Sequence, residues 1–216
     1  MSIATNLHSI QSTIPSHVTL VAVSKTKPVA DLIEAYAAGQ RIFGENKIQE
    51  MTEKWQAMPK DIEWHMIGHV QSNKVKYMVP YVKLIHGVDS LKLLVEINRH
   101  AVRWRKHINC LLQVHIAEED TKFGFDAAEL DSLLKSEAYA ALTHVKVIGL
   151  MGMASFTDNQ DQIKREFDHL KGVYDTLAAQ QSQFTTLSMG MSGDYGLAID
   201  CGSTMVRIGS SIFGTR

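Results

Sequence analysis

The chain has 216 residues, of which 45% are hydrophobic and 21% are charged, a composition typical of one soluble globular domain with a sizeable core. Its 22 Lys and Arg residues nearly balance its 23 Asp and Glu residues, so the formal net charge is -1. This balance argues against a dedicated nucleic-acid or anionic-membrane binder, because neither sign of charge dominates the surface.

Short apolar runs rich in β-branched residues alternate along the chain with segments of helical period. An amphipathic segment with Ile3, Leu7, Ile10 and Ile14 on one side predicts a helix before the first run. The eight predicted strands are Val18–Val23, Arg41–Phe43, Ile62–Ile67, Val82–His86, Cys110–His115, Val145–Met151, Thr185–Met189 and Thr204–Ile208.

Helix signals lie between the predicted strands. Pro28 suits a first helical turn and Gly39 a helix end, while Asp89 and Ser90 can cap the helix that follows them. Eight strands joined by helical crossovers predict an α/β protein with a single (β/α)8 TIM-type barrel over residues 1–216 and an extra N-terminal helix. An open doubly wound sheet is the alternative.

Two features bear on the compartment in which the protein works. Cys110 and Cys201 are far apart and match no metal or redox spacing, which favours a reducing compartment. The first Lys or Arg is Lys25, so the basic segment of a secretory signal is missing, and apolar runs such as Val18–Val23 are too short to span a bilayer. We therefore expect a cytoplasmic protein with no membrane partner.

In parallel α/β folds the ligand site lies at the carboxyl ends of the strands, so the residues directly after each apolar run are the candidate ligand contacts. Lys25 follows the first predicted strand. A lysine amine at the mouth of a barrel can act as a nucleophile toward an aldehyde. A solvent-facing lysine is the alternative for this residue taken alone.

Two turns rich in glycine and serine follow the seventh and eighth predicted strands, at 189–193 and 207–211. Barrels commonly bind phosphate in this quarter through backbone N–H groups, with simple turn chemistry as the alternative. Arg207, at the end of the last strand, is either a ligand contact or an ion-paired barrel arginine. A lysine nucleophile, phosphate-binding turns and an arginine together suit a phosphorylated aromatic aldehyde such as pyridoxal 5'-phosphate (PLP).

Five ordered segments of the chain closely resemble the pyridoxal phosphate homeostasis protein family, which has the barrel fold of the alanine racemase N-terminal domain. The segments are Val21–Pro28, Phe43–Glu50, Trp64–Lys74, Leu187–Ser192 and Gly202–Gly209. The resemblance runs from the first strand to the last. It implies a protein that holds PLP and takes part in its intracellular homeostasis or delivery without catalytic turnover, with apo PLP-dependent enzymes as partners.

The resemblance also implies which residues contact the cofactor. Lys25 would carry PLP as a Schiff base, Ser192 and its neighbours would hold the phosphate, and Arg207 would lie near the pyridine nitrogen. The implied contacts are Lys25, Asn46, Met151, Met153, Ser188, Ser192, Arg207, Gly209 and Ser210.

Some residues of the resembling segments have a second interpretation. Met151 and Met153 would flank the cofactor ring, although the residues alone favour core methionines. His115 stands where the resemblance leads us to expect asparagine, so no ring contact is assigned to it. Lys122 matches a lysine that could accept aldehyde secondarily, and a solvent-facing side chain is the expected role.

Three other functions are alternatives to a PLP carrier. A PLP-dependent racemase or lyase is the main alternative, but racemisation needs an acid/base on each face of the substrate carbon and only Lys25 is evident. His65 and His69 lack carboxylate or cysteine partners at ligand spacing, so no metal site is predicted. The basic stretch Arg99–His107 is expected to be a solvated helix end rather than an RNA contact, and a monomer is expected.

Overall fold

Eight parallel strands form one closed barrel within the part of the chain that the computed structural model describes, residues 2–118 and 123–215. The strands are β1 (Thr19–Val23), β2 (Ile42–Glu45), β3 (Glu63–Met66), β4 (Val82–Val88), β5 (Ile108–Gln113), β6 (Val145–Met151), β7 (Thr186–Ser188) and β8 (Met205–Ile208). Each strand pairs with its neighbour in the chain, and β1 closes the ring by pairing with β8, Val21 lying opposite Arg207. This closure confirms the TIM-type barrel and excludes the open sheet.

The predicted strands all have counterparts, and the differences lie at their ends. β2 continues past Phe43 to Glu45, because its backbone keeps pairing with β3 through a glycine and a glutamate that are poor strand formers. The expectation that His115 closes the fifth strand is wrong, since β5 ends at Gln113. The His115 amide instead donates to the Phe125 carbonyl oxygen at 3.0 Å.

Helices surround the barrel on its outer side. In the described residues they are α1 (Ile3–Thr13), α2 (Val29–Ala37), α3 (Ile48–Ala57), α4 (Val75–Met78), α5 (Leu91–Trp104), α6 (Ala127–Lys135), α7 (Glu137–Ala140), α8 (Gln160–Ala178), α9 (Tyr195–Asp200) and α10 (Ser210–Phe213). The N-terminal helix and the Ser90 cap of α5 are confirmed, the Ser90 hydroxyl accepting from the Leu93 amide at 3.3 Å. None of the helices in this part of the chain is long and apolar enough to cross a membrane.

Two layers of apolar side chains make up the core. Inside the barrel, side chains from five strands pack against one another: Val21, Leu84, Leu111, Met151 and Met205. A larger cluster, which includes Leu32, Phe167 and Leu170, fills the space between strands and helices. Because the barrel is filled in this way, its ligand site lies at the open face formed by the strand ends.

Candidate functional site

A cleft of about 720 Å³ opens at the carboxyl ends of the strands, a volume within the usual range for small-molecule sites. Residues from β8 and from the loops after β1, β2, β6 and β7 meet in it, because the strands of a closed barrel all end at one face. Seven of the nine predicted cofactor contacts line it: Lys25, Asn46, Met153, Ser192, Arg207, Gly209 and Ser210.

Lys25 lies in a tight turn directly after β1, where its side chain is partly buried. The Ser24 amide donates to the Gly44 carbonyl oxygen at 3.0 Å, and the Lys27 amide donates to the Ser24 carbonyl oxygen at 3.1 Å. Thr26 has a φ of 65°, in the left-handed region that a β-branched residue seldom adopts. The turn thus ends the strand abruptly and leaves Lys25 at the wall of the cleft.

A group of charged side chains lies against this turn, with Glu45 and Lys54 buried and Glu50 half-buried, and we call these three residues the acid–lysine cluster. Lys54 Nζ on α3 donates to Glu45 Oε1 and to Glu50 Oε1, both at 2.7 Å, and to the Ser24 carbonyl oxygen at 2.8 Å. The Ser24 hydroxyl and the Thr26 amide donate to Glu45 Oε1 and Glu50 Oε1 respectively, each at 2.6 Å. Burial raises the pKa of Glu45, and the hydrogen bonds from Lys54 and Ser24 oppose that rise.

Asn46 directly follows Glu45 in the chain and carries a hydrogen-bond acceptor that is not satisfied. Its Oδ1 is buried without a hydrogen-bond partner among the described residues, and the residue lines the cleft. Such an atom costs free energy unless water or a ligand donates to it. Gly68 permits the close packing here, because a Cβ at Gly68 would lie 2.6 Å from the Asn46 carbonyl oxygen.

The two glycine- and serine-rich turns are joined to each other across the cleft wall. The Gly209 amide donates to Ser192 Oγ at 3.1 Å. A hydroxyl that accepts a hydrogen bond keeps its own hydrogen, so Ser192 can still donate to an anion. Gly190 has a φ of 95°, and a Cβ there would lie 2.6 Å from the Ala198 Cβ, so the bend after β7 requires glycine. Ser210 begins α10 immediately after Gly209.

Arg207 is buried in β8 and also lines the cleft. Its Nη1 donates to the Ser188 carbonyl oxygen at 2.9 Å and to Ser188 Oγ at 2.6 Å, and its Nη2 donates to the Gly152 carbonyl oxygen at 3.0 Å. Burial lowers the pKa of Arg207 to about 10, and the charge of Asp194 opposes that change. The guanidinium is therefore charged at neutral pH and is held by neutral acceptors.

Behind Arg207, a row of polar side chains crosses the barrel interior. Arg207, Ser188, His86 and His65 form what we call the arginine–histidine network. Ser188 Oγ lies 3.1 Å from His86 Nδ1, and His86 Nε2 lies 3.1 Å from His65 Nδ1. Burial lowers the pKa of His65 to about 3, and burial together with nearby His65 and Arg207 lowers the pKa of His86 well below its usual value. Both rings are therefore neutral at neutral pH.

The structure separates the remaining predicted residues from the cleft. Ser188 is fully buried and holds Arg207 from the barrel interior instead of lining the cleft. Met151 packs in the inner barrel core, whereas Met153, two residues further on, reaches the cleft. His115 is not among the cleft-lining residues, and Lys122 lies outside the described residues.

Histidines do not converge on a metal site in the described ranges, where no three His, Cys, Asp or Glu residues are arranged to hold an ion. His65 faces His86 inside the barrel. His69 instead pairs with Asp89, its Nδ1 lying 3.1 Å from Oδ2.

Other cleft residues escaped sequence reasoning. Gln113, the last residue of β5, lines the cleft, and its Nε2 donates to the Phe123 carbonyl oxygen at 2.9 Å. A lone polar residue near the end of an apolar run was the signal that could have identified it. Ser155, in the loop after β6, donates from its amide and hydroxyl to Glu166 on α8 at 2.6 and 2.7 Å. These bonds fix the loop that forms one wall of the cleft.

Comparisons with known proteins relate the whole chain to proteins of this fold. The family described as alanine racemase, N-terminal domain, matches residues 1–216. The pyridoxal phosphate homeostasis protein of Pasteurella multocida is 39% identical, with 100% of this chain and 98% of that protein covered, and its namesake from Vibrio alginolyticus is 42% identical, with 94% and 88% covered. The structure of PipY from Synechococcus elongatus with PLP bound has 37% identity and a TM-score of 0.89, covering 99% of this chain and 100% of that chain.

Proposed function

The chain belongs to the pyridoxal phosphate homeostasis protein family, and from this premise we propose that it binds PLP in the cleft at the barrel mouth, covalently attached to Lys25. In this role it takes part in PLP homeostasis in the cytoplasm. The PLP-bound structure of a relative that aligns along its full length supports the choice of cofactor.

One observation carries the proposal: a primary amine and the two glycine- and serine-rich turns line the same cleft. Lys25 comes from the turn after β1, while Ser192 and Ser210 come from the turns after β7 and β8. β8 pairs directly with β1, so the amine and these turns belong to neighbouring parts of the rim. A ligand with an aldehyde at one end and a phosphate at the other suits this arrangement.

The reaction at Lys25 needs little from the protein beyond position and deprotonation. PLP supplies an aldehyde whose carbon forms a bond to an amine nitrogen with release of one water, without any change in oxidation state. Lys25 Nζ supplies the lone pair after it loses a proton. The partly buried turn presents this amine to the cleft.

Other side chains of the cleft fit the rest of the molecule. Ser192, Gly209 and Ser210 would hold the phosphate, with the Ser192 hydroxyl hydrogen as one donor. Arg207 would lie near the pyridine nitrogen, and Met153 beside the ring. The unpaired Asn46 Oδ1 fits a ligand that carries a donor, such as the ring hydroxyl of PLP.

We propose a carrier and not an enzyme. The Arg207 guanidinium is charged, and a cation beside the pyridine nitrogen disfavours protonation of that nitrogen, which weakens the ring as an electron sink. Lys25 is the one acid/base that we assign to the reacting face, whereas racemisation needs a second on the opposite face.

Borohydride reduction followed by peptide mapping tests the attachment to Lys25. We expect the pyridoxyl label on Lys25 and loss of the characteristic absorption band in Lys25→Ala, with weaker noncovalent binding of PLP retained. Lys47→Ala, which removes an exposed lysine, is the matched control and should keep the band. A label on Lys122 or any other lysine of the wild-type protein would contradict the proposal.

Hydrogen exchange tests the absence of turnover. The PLP-loaded protein is incubated with L-alanine or D-alanine in deuterated water, and mass spectrometry follows the α-hydrogen. We expect no sustained incorporation of deuterium, because the opposing acid/base is missing. Repeated turnovers per protein molecule would instead favour the racemase or lyase alternative.

Transfer to apo PLP-dependent enzymes is the partner interaction that we propose. We expect the loaded protein to reactivate such an enzyme. If none of the tested apo-enzymes recovered activity, the role of the protein would be restricted to holding PLP.

A monomer is also expected, and light scattering measures the mass of the protein in solution.

A further inference from the structure

The acid–lysine cluster holds the backbone on both sides of Lys25. On the N-terminal side, Lys54 donates to the Ser24 carbonyl oxygen and Glu45 accepts from the Ser24 hydroxyl, at 2.8 and 2.6 Å. On the C-terminal side, Glu50 accepts from the Thr26 amide at 2.6 Å. All these bonds converge on the two residues that flank the proposed attachment site.

The conformation held on the C-terminal side is an unfavourable one. Thr26 and Arg105 are the two non-glycine residues in the described ranges with positive φ, and Thr26 is β-branched. A left-handed conformation is disfavoured for such a side chain, so a free turn would relax away from it. The hydrogen bond to Glu50 and the pairing of Glu50 with Lys54 counteract that relaxation.

Stability alone does not account for three charged groups at this place. Burying an ammonium and a carboxylate is costly, and packed apolar side chains of similar volume often serve as well or better. The side chains of Lys54 and Glu45 are 6% and 0% exposed, so they are largely removed from water. What apolar groups could not supply is a set of directed hydrogen bonds to a strand end and a left-handed turn.

We propose that Glu45, Glu50 and Lys54 are positioning residues for Lys25, holding its turn in the geometry in which the amine meets the aldehyde of PLP. This inference rests on the proposed function. None of the three touches the reacting atoms in this scheme, and each acts through Ser24 or Thr26. The cluster therefore controls the equilibrium between noncovalently held and covalently attached PLP.

The experiment separates these two modes of binding with two ligands. PLP can become attached to Lys25, whereas pyridoxine 5'-phosphate carries an alcohol in place of the aldehyde and binds only noncovalently. The covalent fraction of bound PLP is measured from its absorption band and by borohydride trapping, and the affinity for pyridoxine 5'-phosphate by calorimetry.

Glu50→Ala is the decisive variant, because the side chain of Glu50 is the most exposed in the cluster, with an exposed fraction of 23%. Its removal is therefore the least destabilising of the three. We expect the equilibrium constant for attachment to fall about tenfold, the order expected for loss of a charge-assisted hydrogen bond. Affinity for pyridoxine 5'-phosphate should change by less than about twofold, as the phosphate-binding turns keep their own hydrogen bonds. Exchange of the Thr26 amide hydrogen should become faster.

Further variants keep the test sharp. Glu50→Gln retains an acceptor for the Thr26 amide and should restore most of the covalent fraction that Glu50→Ala loses. If Glu50→Ala does not fold, Glu50→Leu, which keeps the bulk of the side chain and removes the acceptor, takes its place and should show the same loss. Glu53→Ala removes an exposed carboxylate from the same helix and should resemble the wild type in both measurements.

The outcomes distinguish failure of this inference from failure of the proposed function. An unchanged equilibrium constant for attachment in Glu50→Ala, or an equal loss of affinity for both ligands, overturns the positioning role while PLP binding stands. A wild-type protein that attaches no PLP overturns the proposed function and the inference together.

Discussion

The acid–lysine cluster and the arginine–histidine network bury polar groups near the same cleft by opposite means. Under the Lys25 turn, the ammonium of Lys54 is paired with the carboxylates of Glu45 and Glu50. Around Arg207, the acceptors are a hydroxyl and two carbonyl oxygens, and the network continues through two neutral histidines.

The difference follows from the chemistry of the two cations. A guanidinium is weakly hydrated and spreads its charge over several donors, so neutral acceptors satisfy it, and the pKa of Arg207 remains at about 10 despite burial. A lysine ammonium is a compact, strongly hydrated charge and needs anions when it is buried. The stability of the acid–lysine cluster therefore depends on all three of its charged side chains, whereas that of the arginine–histidine network depends on its two histidines remaining uncharged.

Lys54→Met removes the cation of the acid–lysine cluster and has the largest expected effect on stability. Without the ammonium, Glu45 and Glu50 face each other in a buried site, and we expect the free energy of unfolding to fall by about 3–5 kcal/mol. Urea denaturation at neutral pH measures the loss. Lys92→Met, which removes an exposed lysine from α5, is the control.

A double variant shows whether unpaired charge causes that loss. Lys54→Met combined with Glu45→Gln removes a carboxylate along with its partner and should recover part of the stability. No recovery would mean that packing, and not charge pairing, gives Lys54 its importance.

The architecture could be predicted because strand signals are local. β-branched runs such as those of β1 and β6 stand out from the amphipathic helices around them, and eight such runs with crossovers fit one barrel. The short helices α4, α7, α9 and α10 were not predicted, since four to six residues do not establish a helical period. The end of β5 was misplaced because the apolar pattern continues through Val114, which forms only an isolated bridge with Phe125.

The residues predicted for the site reach the cleft where they follow a strand end. Of the three that lie within a strand, Met151 and Ser188 stay beneath the cleft, and the long side chain of Arg207 reaches it. Met153 lies beyond β6 and lines the cleft, while Met151 is still within β6 and packs in the core. Ser188, the last residue of β7, likewise faces inward to Arg207. The register of the strands in the closed barrel decides whether a residue near a strand end reaches the cleft or faces the barrel interior.

Neither buried network could be predicted in full, since the contacts that define each one join residues that are distant in the chain. Glu50 and Lys54 are four residues apart on α3, but their bonds to the Lys25 turn span more than twenty residues. Lys54 lies on the buried face of α3 with Ile48 and Met51, where a lysine is not expected, and no local pattern relates it to Ser24. His65 and His86 appeared as strand residues of two different runs, and only the parallel pairing of β3 with β4 brings their rings together.

The pH dependence of stability sharpens the comparison, because acid acts differently on the two sides. A histidine titrates at about 6.5 in the unfolded chain, whereas the pKa of His65 is lowered to about 3 and that of His86 lies well below its usual value. Between about pH 7 and about pH 5 the unfolded state therefore binds protons that the folded state does not bind, so stability falls as the pH falls. His65 should therefore cost about 2 kcal/mol of stability as the pH falls from about 7 to about 5, and His86 should add to that loss.

Glu45 acts in the opposite direction. Its pKa is raised in the fold, so its contribution is fully present below the unfolded pKa and is lost as the pH rises through the folded value. Acidification should therefore weaken the arginine–histidine network without reducing the contribution of Glu45 to stability.

His65→Asn tests the assignment of that pH dependence to the network. The variant removes one titrating ring, so the loss of stability between about pH 7 and about pH 5 should shrink by about 2 kcal/mol relative to the wild type. Urea denaturation at the two pH values measures it, with the exposed His17→Asn as control. A pH dependence equal to that of the wild type would mean that groups other than His65 take up the protons on unfolding.

Ser188→Ala has the smallest expected effect and asks how much one neutral acceptor contributes. The change removes the hydroxyl that accepts from Arg207 at 2.6 Å and lies 3.1 Å from His86 Nδ1. Two carbonyl acceptors of Arg207 remain, so we expect a loss of about 1–2 kcal/mol, below that of Lys54→Met. Urea denaturation measures the loss against Ser182→Ala, an exposed serine in the loop before β7. A loss equal to that of Lys54→Met would mean that the hydroxyl is as indispensable to Arg207 as the carboxylates are to Lys54, and the contrast between paired and neutral burial would fail.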